Sequence, residues 1–385
     1  MKKKDKNAKQ VVLPHSQAKL DLFRLYLEKY LPILTLAKGI SKINLYDIFC
    51  GIGLYEDGNI GSPLITVNSI AITNELIDSK GWVRKPIVLN INDGSKEKVE
   101  NVKTLLESRK ATNCTLNFYN LDADVMLDMA ANEIATFPNS ERNLIFIDPY
   151  GYSHIAKDKI LRLLNKGHTE IVLFLPAMQM YRFSEVVFDD FERKCYEDLR
   201  KFIIDFLPEA EGFQSVFDFI NELTKAFSFS DIYFSCSHYI ERDKGNYYAV
   251  FFITSNIYGL ERMLEVKWKA DPAQGKGFKN SVNANLFAEV LVEYDKKIQL
   301  DFLKDIFIKE LKNNKIGLSN IETYILALKN EFLPKHINSI IKDLKKQGRL
   351  IITDKIGSEI NRGNAFYTDY EHYKKNDIKV YYKLK

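Results

Sequence analysis

Between residues 43 and 175 the chain alternates short apolar runs with amphipathic stretches, and that alternation leaves few folds open. INLYDIF (43–49), KPIVLNI (85–91), CTLNFYN (114–120), NLIFID (143–148) and EIVLFL (170–175) read as strands. Helical periodicity fills the gaps over 64–79, 96–107, 123–135 and 156–166; in the second of these Val99, Val102, Leu105 and Leu106 share one face. Strands alternating with helices in this way predict an α/β architecture, a Rossmann-like parallel sheet with helices on both faces. A helix precedes the first strand, starting near Ser16 with Leu20, Phe23, Leu27 and Leu31 at helical spacing, and Pro32 is expected to bend or interrupt it.

After residue 175 the rhythm breaks. Residues 184–228 read as a helical insertion. IYFSCSHYI (232–240) and YYAVFFIT (247–254) read as an antiparallel hairpin at the sheet edge. A helix over 257–268 and a flexible Gly- and Lys-rich linker, KADPAQGKGFKNS (269–281), come next. Helices over 300–313, 319–330 and 335–347, then short strands in LIITDK (350–355) and AFYTDY (365–370), follow the order of a winged helix-turn-helix. The expected organisation is a flexible basic tail (1–14), an α/β domain (15–285) and a winged-helix domain (286–385).

Charge separates the last domain from the rest. Residues 296–385 hold 19 Lys/Arg against 11 Asp/Glu, whereas the whole chain holds 55 against 51. An acidic polymer such as nucleic acid becomes a candidate partner. The four cysteines, Cys50, Cys114, Cys195 and Cys236, form no CxxC pair and accompany no His cluster. Neither a metal site nor a disulfide framework is expected, and a reducing cytoplasm suits the chain. No apolar run reaches the roughly 18 residues of a membrane span, so no membrane association is expected.

The first strand ends in Asp47-Ile-Phe49-Cys-Gly51-Ile-Gly53. At the carboxyl end of such a strand the chain must turn sharply and let a ligand approach its backbone, and Gly51 and Gly53 permit both. Asp47, just before the turn, can bind a ligand amine. Glu56 stands where a dinucleotide motif needs its third glycine, so a nicotinamide pyrophosphate is disfavoured. The pattern points to a class I methyltransferase sheet and to S-adenosylmethionine, with Asp47, Phe49, Gly51 and Gly53 around it. At the end of the second strand, Asn92 can hydrogen-bond a ribose hydroxyl, and Asp93 either does so too or caps the following helix. Asp122 either reaches the adenine amine or acts as a cap.

The fourth strand ends in Asp148-Pro149-Tyr150-Gly151. Asp148 and a following carbonyl can hold a nucleobase exocyclic amine, with Tyr150 or Tyr152 stacking on the base. Catalysis would then consist mainly of aiming the nitrogen lone pair at a sulfonium methyl. In the last helix Ile337, Ile340, Ile341 and Leu344 form a core stripe. Lys335, Asn338, Lys342, Lys345 and Lys346 lie on other faces, and Arg349 follows. These suit phosphate contacts with Asn338 at an adenine edge, or else a protein contact.

Several blocks together resemble the three-Cys-motif partner (TcmP) proteins of bacteria: HSQAKLDLFRLYL (15–27), LYDIFCGIGLYEDGNIGSPL (45–64), NLIFIDPYGY (143–152), the MYRF segment around Arg182 and the long stretch 247–278. FLPKHINSIIKDLKKQGRLI (332–351) resembles the winged helix attached to some members. The resemblance implies a class I methyltransferase-like fold and a partner protein with three cysteines, in mobile or defence-type settings. It extends more distantly to adenine-amine methyltransferases of ribosomal RNA, which share a His/Lys helix and an Asp-Pro-Pro-Tyr signature. That match implies that His15 and Lys19 are active-site residues, although His15 reads equally well as a solvent-facing helix start. The second Pro of the signature is absent here, and Asn92 replaces the expected acid. Three functions remain open: a methyltransferase acting on a nucleic-acid base amine and recruited by the basic winged helix, a non-catalytic methyltransferase-like protein that binds nucleic acid or a partner, or a transcriptional regulator that senses a nucleotide-like ligand. Methyl transfer requires the glycine corner and Asp148 to open onto one shared cavity.

Overall fold

The computed structural model describes residues 11–108, 114–149, 151–184, 197–208, 212–278, 288–361, 363 and 365–385. The chain divides into two compact units, Met1–Gly259 with Phe278–Asn280, and Leu260–Gly277 with Ser281–Lys385.

The first unit runs α1 (Pro14–Leu36), β1 (Lys42–Asp47), α2 (Ser62–Ser79), β2 (Ile87–Asn92), α3 (Lys96–Ser108), β3 (Thr115–Tyr119), α4 (Ala123–Thr136), β4 (Glu141–Ile147), α5 (Lys157–Leu164), β5 (Thr169–Leu175), α6 (Ala177–Ser184), α7 (Glu197–Phe206), α8 (Val216–Ala226), β6 (Phe234–Asp243) and β7 (Asn246–Thr254). Strand order is β3-β2-β1-β4-β5-β7-β6-β8, β8 being the two residues Gly277–Phe278. Strands β1 to β5 are parallel, and β7 runs antiparallel to both β5 and β6. This is a mostly parallel α/β sheet flanked by helices, as the alternation predicts. The hairpin differs in detail from the expectation. Its second strand lies inside the sheet, paired along one edge with β5 and along the other with β6, and Ala249–Ile253 are buried.

Register positions the site. Asp47 pairs with Ile91 on β2 and with Phe146 on β4. Phe49, Asp93 and Asp148 each lie two residues further on, so the three corners rise from the same edge of the sheet. The order reverses between β1 and β4, and ligands of such sheets bind outside the carboxyl ends of the strands at that point.

Two local expectations are corrected here. Helix α1 continues through Pro32 to Leu36. Burial of Leu31 and Thr35 on either side of the proline holds the helix despite the lost backbone bond. The basic tail is pinned at its end: Val12 is buried, and its amide donates to Asp57 Oδ2 at 3.0 Å. Part of the expected helical insertion, residues 185–196 and 209–211, lies outside the described residues; α7 and α8 account for the rest.

The second unit comprises the Leu260–Ala270 part of helix α9 (Ile257–Ala270), α10 (Ala288–Asn313), β9 (Leu318–Ser319), α11 (Asn320–Lys329), α12 (Pro334–Lys346), β10 (Leu350–Thr353), α13 (Tyr370–Lys375) and β11 (Tyr381–Leu384). Its three strands pair antiparallel in the order β10-β11-β9. The second strand expected at 365–370 is displaced to β11, because Asp369 instead caps α13, accepting from the His372 amide at 3.0 Å. The expected domain boundary at 285/286 also moves, to Gly259/Leu260. Trp268 packs edge-on against His336 at 4.3 Å, and its indole N–H donates to the Glu331 carbonyl at 2.9 Å. The described part of the supposed flexible linker is a tight turn. One carboxylate, Asp271, accepts from the amides of Ala273, Gln274, Lys276 and Gly277 at 3.0–3.2 Å.

Candidate functional site

A cavity of ≈ 300 Å³ lies at the carboxyl ends of β1 and β4, and both Gly51 and Asp148 face it. This volume is at the lower end of the range for small-molecule sites. The glycine-corner side is formed by Phe49, Cys50, Gly51, Gly61, Ser62 and Asp93. His15 and Lys19 of α1, Phe174, Pro176 and Gln179 at and after β5, Tyr248 of β7, and Asp148 and Pro149 after β4 also line it.

The two glycines serve different purposes. Gly51 has φ 63° with nothing within 4 Å of where a Cβ would be, so its backbone is open to a ligand. Gly53 has φ 77°, and a Cβ there would meet Val102 Cγ2 at 2.9 Å. It faces the packing under α3 and does not line the cavity. The Gly61 amide donates to the Gly53 carbonyl at 2.6 Å, which closes the corner and brings the start of α2 to the cavity.

Asp47 sits one layer behind the wall, only 2% exposed. The Ser62 hydroxyl and the Phe49 amide lie near its carboxylate, but neither reaches hydrogen-bond geometry with it. Burial pushes its carboxyl up to about 7; the Asp148 charge adds to this, while the nearby Ser62 hydroxyl, Lys19 and the Phe49 amide pull against it. Such an orphaned carboxylate is costly unless a cation or donor completes it.

Asp93 lines the cavity and also organises it. It accepts from the Gly51 amide at 3.1 Å and the Ser95 amide at 2.9 Å, and pairs with Lys98 at 3.3 Å. Its bonds to the Gly51 and Ser95 amides tie the glycine corner to the turn that leads into α3. Asn92 is corrected. Its amide donates to the Ile48 and Leu121 carbonyls at 3.1 and 3.2 Å, and its oxygen accepts from the Leu121 amide at 3.0 Å. Fully engaged and fully buried, it ties β1 to β3 and faces no ribose. Of its two expected roles Asp122 takes the cap: it is exposed, does not line the cavity, and accepts from the Asp124 amide at 2.9 Å at the start of α4. Asp122, Asp124 and His154 draw close together, but the Lys159 ammonium already pairs with Asp124.

His15 is buried, not a solvent-facing helix start, and its ring stacks on Tyr248 at 5.5 Å and 4°. Tyr248 stacks in turn on Phe174 at 5.0 Å and 12°. One helical turn beyond His15, the Lys19 ammonium lies over the Phe174 ring at 4.5 Å and forms an ion pair with Asp148. Tyr150 lies outside the described residues. Tyr152 packs toward Phe202 and does not line the cavity.

Phe174, Pro176, Gln179 and Tyr248 were not anticipated. The signals were present: Phe174-Leu-Pro176 ends β5 as Asp148-Pro149 ends β4, and Tyr248 stands among the alternating aromatics of β7. In the second unit, Lys335, Lys342, Lys346 and Arg349 are exposed. Asn338 is half-buried and accepts from the Thr368 hydroxyl, and Lys345 donates to the Gly363 carbonyl at 3.2 Å. Those two residues hold the loop after β10 against α12.

No protein-family model and no curated protein matches the sequence. Among solved structures, the bifunctional kinase-methyltransferase WbdD is similar at 14% identity and a TM-score of 0.33, over 62% of this chain and 39% of that one. The chain thus spans about two fifths of WbdD. An O-methyltransferase from Bacillus cereus in complex with SAH is similar at 14% identity over 64% and 83% of the two chains, with a TM-score of 0.33. The O-methyltransferase TomG from Streptomyces achromogenes, in complex with SAM, is similar at 10% identity over 64% and 92%, also at 0.33. Among the described residues, no helix is long and apolar enough to cross a membrane.

Proposed function

We propose that the cavity binds S-adenosylmethionine and that the protein transfers its methyl group to an exocyclic amine of a nucleic-acid base. The observation that carries this is the single cavity shared by the open Gly51 backbone and the Asp148 carboxylate at the strand-order reversal. The residues fit the cofactor. Gly51 leaves room at the backbone, Asp93 offers a carboxylate on the cavity wall, and Asp47, buried one layer behind it, adds an acidic charge close to a cationic ligand. Bound S-adenosylmethionine supplies a methyl group on a sulfonium, transferable to a nitrogen nucleophile.

The chain's own residues then orient and shield. Asp148 accepts from the amine and turns its lone pair toward the cofactor side. Lys19 holds Asp148 in place. His15, Tyr248 and Phe174 stack on one another and give the cavity an aromatic lining that limits access of water. We further propose that the second unit is a winged helix that recruits the nucleic acid, with Lys342, Lys346 and Arg349 at phosphates; their exposure and the local basic excess support this.

Calorimetry with S-adenosylmethionine tests the first step. Micromolar binding, weakened at least about tenfold in Asp47→Asn, is expected for the loss of that acidic charge close to a cationic ligand. Absence of binding at millimolar cofactor would remove methyl transfer and leave a non-catalytic binding protein. Asp148→Ala should keep cofactor affinity and abolish transfer of labelled methyl to nucleic acid.

A further inference from the structure

Lys19 and Asp148 present opposite hydrogen-bonding characters side by side on the cavity wall. An ammonium has three donors and no acceptor, and a carboxylate only accepts. Their side chains are just 10% and 24% exposed, so each is largely withdrawn from water. Adenine carries an amine beside a ring nitrogen that accepts, and cytosine does the same. Hypoxanthine, thymine and uracil carry a carbonyl beside a ring N–H, which is the reverse; guanine carries that reversed edge at C6 and an amine beside an accepting nitrogen at C2.

We propose that the Lys19–Asp148 pair reads the edge of the acceptor base: Asp148 accepts from the exocyclic amine while Lys19 donates to the adjacent ring nitrogen. This rests on the reading that a base enters the cavity, and adds which bases it takes. Without a base, the two groups satisfy each other, as they must, because a buried charge without a partner is costly. An amine edge preserves that satisfaction. A lactam edge sets its carbonyl against the carboxylate and its N–H against the ammonium, so both buried charges face like partial charges. Sites built around such polar groups reject mismatched ligands far more strongly than apolar pockets do.

Two features equip Lys19 for this. Its ammonium lies over the Phe174 ring face, a contact that persists when a base takes part of its attention from Asp148. Its donors also rotate, so it can keep one toward Asp148 while offering another to the ring nitrogen, which a rigid guanidinium fork cannot do as freely.

The test is calorimetric, on the full chain, with short single-stranded oligothymidylates carrying one central adenine, 1-deazaadenine or hypoxanthine. 1-Deazaadenine keeps the amine and loses only the ring acceptor. The adenine strand should bind at least about tenfold more tightly than either analogue, as expected for a lost hydrogen bond to a charged group. In Lys19→Met the ratio between adenine and 1-deazaadenine should fall to about one, the signature of a direct pairwise coupling. Equal affinity of the wild-type chain for adenine and 1-deazaadenine strands, or no binding of any of them, overturns the proposal, and this arm needs no variant to fold. Discrimination without methyl transfer would instead sink the transferase reading and leave the base reader standing.

Discussion

The Tyr26 hydroxyl donates a hydrogen bond to Oε2 of Glu170, and this enclosed contact locks helix α1 onto strand β5. The Thr254 hydroxyl donates to the other oxygen at 3.2 Å. The same helix carries His15 and Lys19 to the cavity, so the contact sets their height above the sheet.

Glu170 makes the fold pH-sensitive in a defined direction. Burial pushes its carboxyl from the ordinary 4.5 up to about 7, with the Tyr26 and Thr254 hydroxyls pulling against it. The folded state therefore holds the proton more tightly than the unfolded chain. The contribution is complete below about pH 4.5 and is lost as pH rises through about 7, a change on the order of 3 kcal/mol. Glu170→Gln keeps an acceptor for Tyr26 and cannot ionise. In urea denaturation the variant should match wild type at pH 4 and gain on it steadily toward pH 8. A pH-independent offset between the two would refute this account.

The glycine corner predicts opposite outcomes at neighbouring positions. Gly53→Ala forces a methyl group into contact with Val102 and Leu64 as well as straining a left-handed backbone. It should cost roughly 2–4 kcal/mol of stability. Gly51→Ala meets open space and should cost only about 1–2 kcal/mol of backbone strain. Its larger effect should be on S-adenosylmethionine affinity, because the added methyl group points into the cavity. Thermal denaturation and calorimetry on both variants separate the two.

Asn92 distinguishes a motif position from a structural one. Asn92→Asp restores the acid expected at the end of β2, yet turns a donor to the Ile48 and Leu121 carbonyls into a charge facing them. The substitution should destabilise the protein by about 3 kcal/mol or more at pH 8 without tightening cofactor binding. Improved cofactor affinity in this variant would return Asn92 to the ribose site.

What the sequence makes legible follows from what is local. Strand apolarity, helical period and the Gly51–Gly53 corner report the α/β sheet and the edge where the cavity opens, since each depends on residues a few positions apart. The partnership of Asp148 with Lys19 spans 129 positions and is visible only through the shared motif. Phe174 and Tyr248 escape notice because an aromatic on a buried strand looks the same whether it faces a core or a cavity. Asn92 misleads for the related reason that a polar residue at a strand end can serve a ligand or a neighbouring carbonyl. The domain boundary slips because Trp268 and Asp271 make contacts that a Gly- and Lys-rich composition does not announce.

The basic face of α12 gives the most direct check on nucleic-acid recruitment. Lys342 and Lys346 lie one turn apart and both are exposed, whereas Lys345 is tied to the Gly363 carbonyl. If the exposed pair meets phosphates, Lys342→Ala with Lys346→Ala removes two released counterions. The slope of log affinity against log salt should then become shallower by about 1.4 on single strands or 1.8 on duplex. The stripe of Ile337, Ile340, Ile341 and Leu344 is untouched, so the melting temperature should stay nearly constant. Lys345→Ala should do the reverse, loosening the loop after β10 with little change in slope. An unaltered slope in the double variant, measured by fluorescence anisotropy across a salt series, would move the nucleic-acid surface away from this helix.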